Sequence, residues 1–211
     1  MIEVQVDTSQ VLGPVRQQGQ RATCLAFTAS DLNAAANATP HLSVEFLCHH
    51  AAREMSTWTA GEGFTVESIL NAAQCPGQPL EELYPYIVNH LAAPPQTPPP
   101  GLSPLYRSPS QRRGLTVQEV LDEVLGDRAV GVIVAVTRTL FQPVQGIVEF
   151  SPLVLPDQYH AMVAVGSGHH RSSGEPHLLL RNSWGTSWGN NGHAWFSLSY
   201  LNSHLVEGVV F

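Results

Sequence analysis

At 211 residues the chain is long enough for one large domain or two intimately packed lobes. A hydrophobic content of 43% is ordinary for a globular protein, and no apolar run approaches the roughly 18 residues a membrane helix needs, so no membrane partner is expected. Ten basic and 17 acidic side chains leave a net charge of −7, with no basic cluster beyond Arg112-Arg113, which argues against a phosphate-tracking surface and hence against nucleic acid as a partner.

Residues 2–6 alternate Ile, Glu, Val, Gln, Val, the period-two pattern of a short strand, and Gly13-Pro14 marks a turn after it. The stretch also lacks the basic start and apolar core of a signal peptide, so a cytoplasmic, bacterial setting is expected, or a secreted one if a leader has been removed. Cys24 to Asn37 is Ala-rich, with Leu25, Ala29, Leu32 and Ala36 at helical spacing, and predicts a largely buried helix. Ser43 caps a second helix over about 44–54, and 65–74 predicts a third that stops before Pro76-Gly77. Asn37-Ala-Thr39 matches a glycosylation acceptor, which without a secretory signal is read as chance.

Seven of the 16 prolines (Pro94, Pro95, Pro98, Pro99, Pro100, Pro104 and Pro109) crowd one segment, which predicts an extended, unpacked connector over about 94–110. Thr116-Val-Gln-Glu119 is a capping box for a helix reaching about 125. Beyond it the chain turns β-branched: 130–136, 160–165, 177–181, 193–198 and 206–211 predict strands with Gly-rich turns between them. His169-His170 are expected in a polar, exposed loop.

Three features carry chemistry. Cys24 follows a polar, Gly-containing loop and opens the first helix, where the positive end of the helix dipole favours a thiolate. His160, 136 residues after Cys24, begins an apolar strand, where a polar imidazole needs a reason. Asn182 ends the Leu178-Leu-Leu-Arg181 run and precedes Ser183-Trp184-Gly185. Cys48-His49-His50 with His41 suggests zinc, but adjacent helix positions diverge and no second ligand pair supports it, so no metal is expected. With Cys24 reactive, a single disulfide between Cys48 and Cys75 is the most the chain allows, which favours a reducing compartment.

The two islands resemble the active-site segments of papain-like cysteine peptidases, the papain and cathepsin (C1-type) family. Gln18, Cys24, Ala26 and Phe27 match its Gln-x-x-x-x-x-Cys-x-Ala-Phe segment. Asn182-Ser-Trp-Gly185, Trp188-Gly189 and Gly192 match its Asn-Ser-Trp-Gly-x-x-Trp-Gly-x-x-Gly pattern, and His160-Ala161 with Gly166 and Gly168 is similar to its His-Ala-x-x-x-x-Gly-Tyr-Gly segment. Leu42-Ser-Val-Glu-Phe-Leu47, Gly61-Glu-Gly-Phe64 and Leu83-Tyr-Pro-Tyr86 are weaker echoes. The resemblance implies an α+β, two-lobed fold: a helical lobe over about 10–93, and a β-rich, antiparallel barrel-like lobe over 111–211 that includes the strand 1–9, with the active-site cleft between them.

It implies Cys24 as nucleophile, His160 as base, Asn182 as its orienter under Trp184, and Gln18 as oxyanion donor. Gly63 would pair with an extended substrate, and Phe64, Thr65, Ile133 and Ala161 would line the pocket for the second residue before the scissile bond, favouring an apolar side chain. The expected activity is peptide-bond hydrolysis on a peptide or protein substrate, with no cofactor. Alternatives on the same residues are transglutaminase-like acyl transfer and a non-catalytic peptide-binding module. Two departures stand out: Arg21-Ala-Thr23 replaces the family's Cys-Gly-Ser, removing a disulfide staple, and Leu25 replaces the usual Trp. The family's inhibitory propeptide is also missing, so control by a regulatory or inhibitory protein partner, by delivery or by narrow specificity is expected.

Overall fold

Local signals decide where most elements begin. In the computed structural model, which describes residues 1–88, 95–108 and 111–211, α1 (Cys24–Ala36) starts at the cysteine, and α2 (Val44–Glu54), α3 (Val66–Gln74) and α4 (Val117–Leu125) start directly after a capping side chain. Ser43 accepts from Phe46 N at 3.1 Å and Thr65 from Ser68 N at 3.1 Å, while Thr116 and Glu119 form the reciprocal capping box. A fifth helix, α5 (Leu198–His204), was not foreseen: the strand expected over 193–198 stops at Ser197, whose hydroxyl turns inward to cap α5 by accepting from Tyr200 N.

The strands are β1 (Ile2–Asp7), β2 (Arg112–Arg113), β3 (Val130–Thr137), β4 (Ile147–Val148), β5 (Val154–His170), β6 (Pro176–Arg181), β7 (His193–Ser197) and β8 (Leu205–Val210). They form one sheet in the order β2-β8-β3-β5-β6-β7-β4, with β1 pairing β5. Here the barrel-like, antiparallel expectation is corrected. The sheet stays open, ending on two-residue strands that do not pair with each other, and β4 runs parallel to β7. Strand periodicity reports which face is buried; closure depends on tilt and stagger, which no single strand encodes.

β5 is the hub. It runs 17 residues rather than starting at His160, pairs first with β3, then with β6 and β1, and is interrupted by a register shift between Ala164 and Gly166. His169 and His170 therefore lie at its paired end, not in a loop. Its residues are mostly exposed up to Tyr159, buried from His160 to Gly168 and half-buried at His169 and His170.

Two compact units emerge. One comprises Met1–Arg16 and Arg112–Val210, the other Gln17–Gln111 with Phe211. The first has its core where one face of β3, β5, β6 and β7 meets α4 and α5: Val130, Val132, Val134, Met162, Leu178, Phe196 and Tyr200 are members. The second packs α1 with α2 and α3. α1 is buried without a break from Ala26 to Ala34, as an Ala-rich helix inside a bundle should be, and its polar groups find partners: Ser30 Oγ donates to Leu42 O at 2.9 Å and Asn33 Nδ2 to Gln78 Oε1 at 2.9 Å.

The connector also differs from expectation. Pro94 and Pro109 lie outside the described residues, but Tyr106 exchanges two backbone hydrogen bonds of 2.8 Å with fully buried Gln78, and Ser108 is buried with its N–H on Ala73 O at 3.0 Å. This end of the proline-rich segment is packed structure, because its non-proline residues retain donors that a buried glutamine and a helix end require. None of Cys24, Cys48 and Cys75 is in a disulfide, with Cys48 buried and Cys75 exposed, so the one bridge the sequence allowed is not formed. Among the described residues no helix is long and apolar enough to cross a membrane.

Candidate active site

In the helical unit, Gln18 to Thr23 form a loop that delivers Cys24 as the first residue of α1. Cys24 is half-buried, at the helix end where backbone N–H groups lack intrahelical acceptors and the dipole is positive. Gln18 is buried, and its amide Nε2 donates to Arg21 O at 2.8 Å, which fixes which end of the amide carries the hydrogens. Gly63 sits against this loop: a Cβ built on it would lie 3.7 Å from Ala22 O. The residues of positive φ do not include Ala22, so the turn does not require the glycine that the sequence lacks there.

Where a disulfide staple was judged absent, the structure puts a buried ion pair. Arg21 Nη1 lies 2.5 Å from Glu45 Oε2 and Nη2 lies 3.1 Å from Oε1, with side chains 7% and 2% exposed. Burial disfavours the charged guanidinium, but its bonds and attraction to Glu45 outweigh this and the group titrates above its ordinary value. Nη1 also donates to Ile87 O at 3.0 Å. Nothing in the sequence marked this pair, whose members are 24 residues apart.

In the sheet unit, His160 is 4% exposed and its Nε2 lies 2.7 Å from Asn182 Oδ1. That oxygen also accepts from Ser183 N at 2.7 Å, so the amide orientation is set by a backbone donor. An oxygen can only accept, hence Nε2 carries a proton and donates it to Asn182, leaving Nδ1 as the ring nitrogen outside this bond. Asn182 Nδ2 is buried with no hydrogen-bond partner among the described residues. Trp184 packs on the imidazole with ring centroids 4.4 Å apart, keeping water from a bond that gains strength in low dielectric.

The frame around Asn182 explains the glycine pattern. Arg181, 2% exposed, donates to Gly13 O at 2.8 Å, Pro14 O at 2.6 Å and Leu12 O at 3.4 Å, tying the N-terminal segment to the end of β6. That segment then passes so close that a Cβ on Gly192 would meet Val15 Cγ1 at 2.5 Å, while one on Gly189 would meet His193 O at 2.3 Å. Trp188 is buried, donates Nε1–H to Leu140 O at 2.9 Å and sets its edge against Trp184. Phe141 stacks parallel on Trp184 at 5.5 Å and was missed, since a lone exposed Phe carries no sequence signal. Arg181 was missed as well, although a charge closing an apolar run was its signal.

The expected substrate-binding residues divide between the units. Ile133 and Ala161 are cross-strand partners, both buried, and by strand alternation they occupy the face opposite that of His160 and Met162. Phe64 is half-buried and stacked at 5.5 Å on Trp58, in the loop before α3. Thr65 is exposed, but its hydroxyl is engaged as the α3 cap. Of the ten histidines, His160 is paired with Asn182; His90 lies outside the described residues.

Peptidase 1 of Euroglyphus maynei is 25% identical over 228 aligned positions, covering 97% of this chain and 63% of the relative. The oryzain gamma chain of Oryza sativa subsp. japonica is 25% identical over 201 positions, covering 87% and 51%. The chain thus spans between about half and two thirds of the length of these curated relatives. Among solved structures, xylellain, a cysteine protease from Xylella fastidiosa, superposes with a TM-score of 0.75 at 17% identity over 100% of this chain and 86% of that one. A Carica candamarcensis cysteine protease in complex with E-64 gives 0.70 at 21% identity over 97% and 96%. These two share the fold, and residues 3–207 match the papain family of cysteine proteases as a whole, so the chain belongs to that family.

Proposed function

We propose that the chain is a cysteine peptidase that hydrolyses peptide bonds through an acyl-enzyme. The Cys24 thiolate adds to the peptide carbonyl, His160 gives its Nδ1 proton to the leaving amine as the C–N bond breaks, and His160 then takes a proton from the water that releases the acyl group. Gln18 and the Cys24 backbone N–H donate to the oxyanion, each such donor contributing about 3–4 kcal/mol at the transition state.

The observation that carries this reading is the buried His160–Asn182 pair beneath Trp184. An amide orienter holds the ring and its tautomer without neutralising it, so the imidazolium is left to pair with a thiolate. A carboxylate in that place would compete for the charge. The testing experiment is intact-mass measurement after incubation with an E-64-type epoxide, at neutral pH with reductant. One adduct is expected on wild type and none on Cys24→Ala. No adduct on wild type shown to be folded would sink the reading.

Phe64, Thr65, Ile133 and Ala161 supply no charge to pair with a basic side chain, which supports a preference for apolar residues at the second position before the scissile bond. A positional-scanning peptide library should return Leu, Val or Phe there at least about tenfold above Arg or Lys, the scale of one lost apolar contact plus a desolvated charge. Equal cleavage of substrates carrying Arg or Lys at that second position would refute it.

A further inference from the structure

Thr23 is of the residue type that caps helices, and it stands at the N-cap of α1, yet its side chain makes no capping bond. Its hydroxyl lies instead 2.8 Å from Tyr86 Oη, which also lies 2.9 Å from Gln18 O. A carbonyl cannot donate, so the single Tyr86 proton goes to Gln18 and the Thr23 hydroxyl donates to Tyr86 at 2.8 Å, with Arg21 O a more distant acceptor at 3.5 Å. One phenolic oxygen thereby bonds both ends of the loop that joins the oxyanion donor to the nucleophile. We infer that Tyr86 is a positioning residue for the oxyanion site, setting the Gln18 amide relative to the first turn of α1; this rests on the peptidase reading above.

The ring is built to hold still. Its backbone N–H donates to Glu81 Oε1 at 2.7 Å. Phe27, one turn beyond Cys24 on the same helix, meets it edge-on at 4.8 Å, and the Arg21 guanidinium sits 4.6 Å from its centroid, itself gripped by Glu45. Burial pushes the phenol up to about 12, so it remains a donor throughout the working range of a thiol enzyme. Drawing Thr23 toward Tyr86 has a second effect: the hydroxyl does not compete for the first-turn N–H groups where negative charge develops. A local capping rule is broken beside the reacting atoms, where such conflicts are expected to concentrate.

Tyr86→Phe removes only the hydroxyl. Sub-ångström drift of the Gln18 amide should lower kcat on a peptide amide by about tenfold to a hundredfold with KM nearly unchanged, because misplacement of about 1 Å costs on that scale. Alkylation of Cys24 by iodoacetamide is a displacement at carbon with no oxyanion, so its rate should change less than about threefold. Thr23→Val, which keeps the shape and deletes the other hydroxyl, should shift kcat in the same direction and serves if Tyr86→Phe fails to fold.

Unchanged kcat in the folded variants would overturn the assignment. So would a parallel loss of alkylation, since the nucleophile itself would then be disturbed. Wild type that alkylates but cleaves no member of a peptide library would overturn the peptidase reading and this assignment with it, an outcome distinct from an active wild type with an indifferent Tyr86→Phe.

Discussion

Cys24→Ala is expected to lower peptide turnover by a factor on the order of 10⁴ or more, the scale on which removing a covalent nucleophile acts when the rest of its site remains. The fold should be untouched. Cys24 is half-buried at the first position of α1, so shortening it opens no enclosed cavity, and alanine is the best helix former. Hydrolysis of a fluorogenic peptide and the thermal midpoint, measured side by side, separate the two effects. Equal turnover by the variant would exclude Cys24 as nucleophile, whatever the midpoint.

The second large effect is one of stability. Glu45→Ala leaves the Arg21 guanidinium charged in a site where it is 7% exposed, retaining Ile87 O at 3.0 Å and the Tyr86 ring as neighbours. Removing one member of a buried pair costs about 3–5 kcal/mol. For a chain of this length that corresponds to a fall in Tm on the order of 10 °C. The combined replacement Arg21→Met with Glu45→Leu removes both charges and should recover most of the loss. Thermal unfolding of the two variants at one protein concentration checks the pair of expectations; a drop of less than about 1 kcal/mol for Glu45→Ala would place the ion pair with weak surface bridges.

These two residues illustrate what is local in a sequence and what is not. Cys24, His160 and Asn182, to which the proposed mechanism assigns its chemistry, stand out in the sequence because each belongs to a local pattern: a polar loop opening an Ala-rich helix, an imidazole at the mouth of an apolar strand, and an Asn-Ser-Trp-Gly turn. Arg21 was also visible, but only as the loss of a staple. Its counter-charge Glu45 is one helix away and its aromatic support, Tyr86, is farther still, and no pattern of neighbours names such partners.

The same division runs through the fold. Ser43 and the Thr116–Glu119 box announced two helices because a cap bonds a backbone N–H two or three residues ahead, a contact the sequence contains within itself; Thr65 caps the third in the same way, although the reading of 65–74 did not name it. Ser197 offered the same signal for α5 and was masked by the β-branched and aromatic residues before it. Continuous apolar runs marked β3, the buried part of β5 and β6, since a strand covered on both faces needs apolar side chains at every position. What only the tertiary structure decided is where those elements meet. The exposed lead of β5 ahead of His160, the open and partly parallel sheet, the packing of Phe141 on Trp184 and the Tyr86 bridge between Gln18 and Thr23 all join residues far apart in the chain. Their energies come from desolvation and contact between distant surfaces, quantities that exist only once the chain has brought those surfaces together.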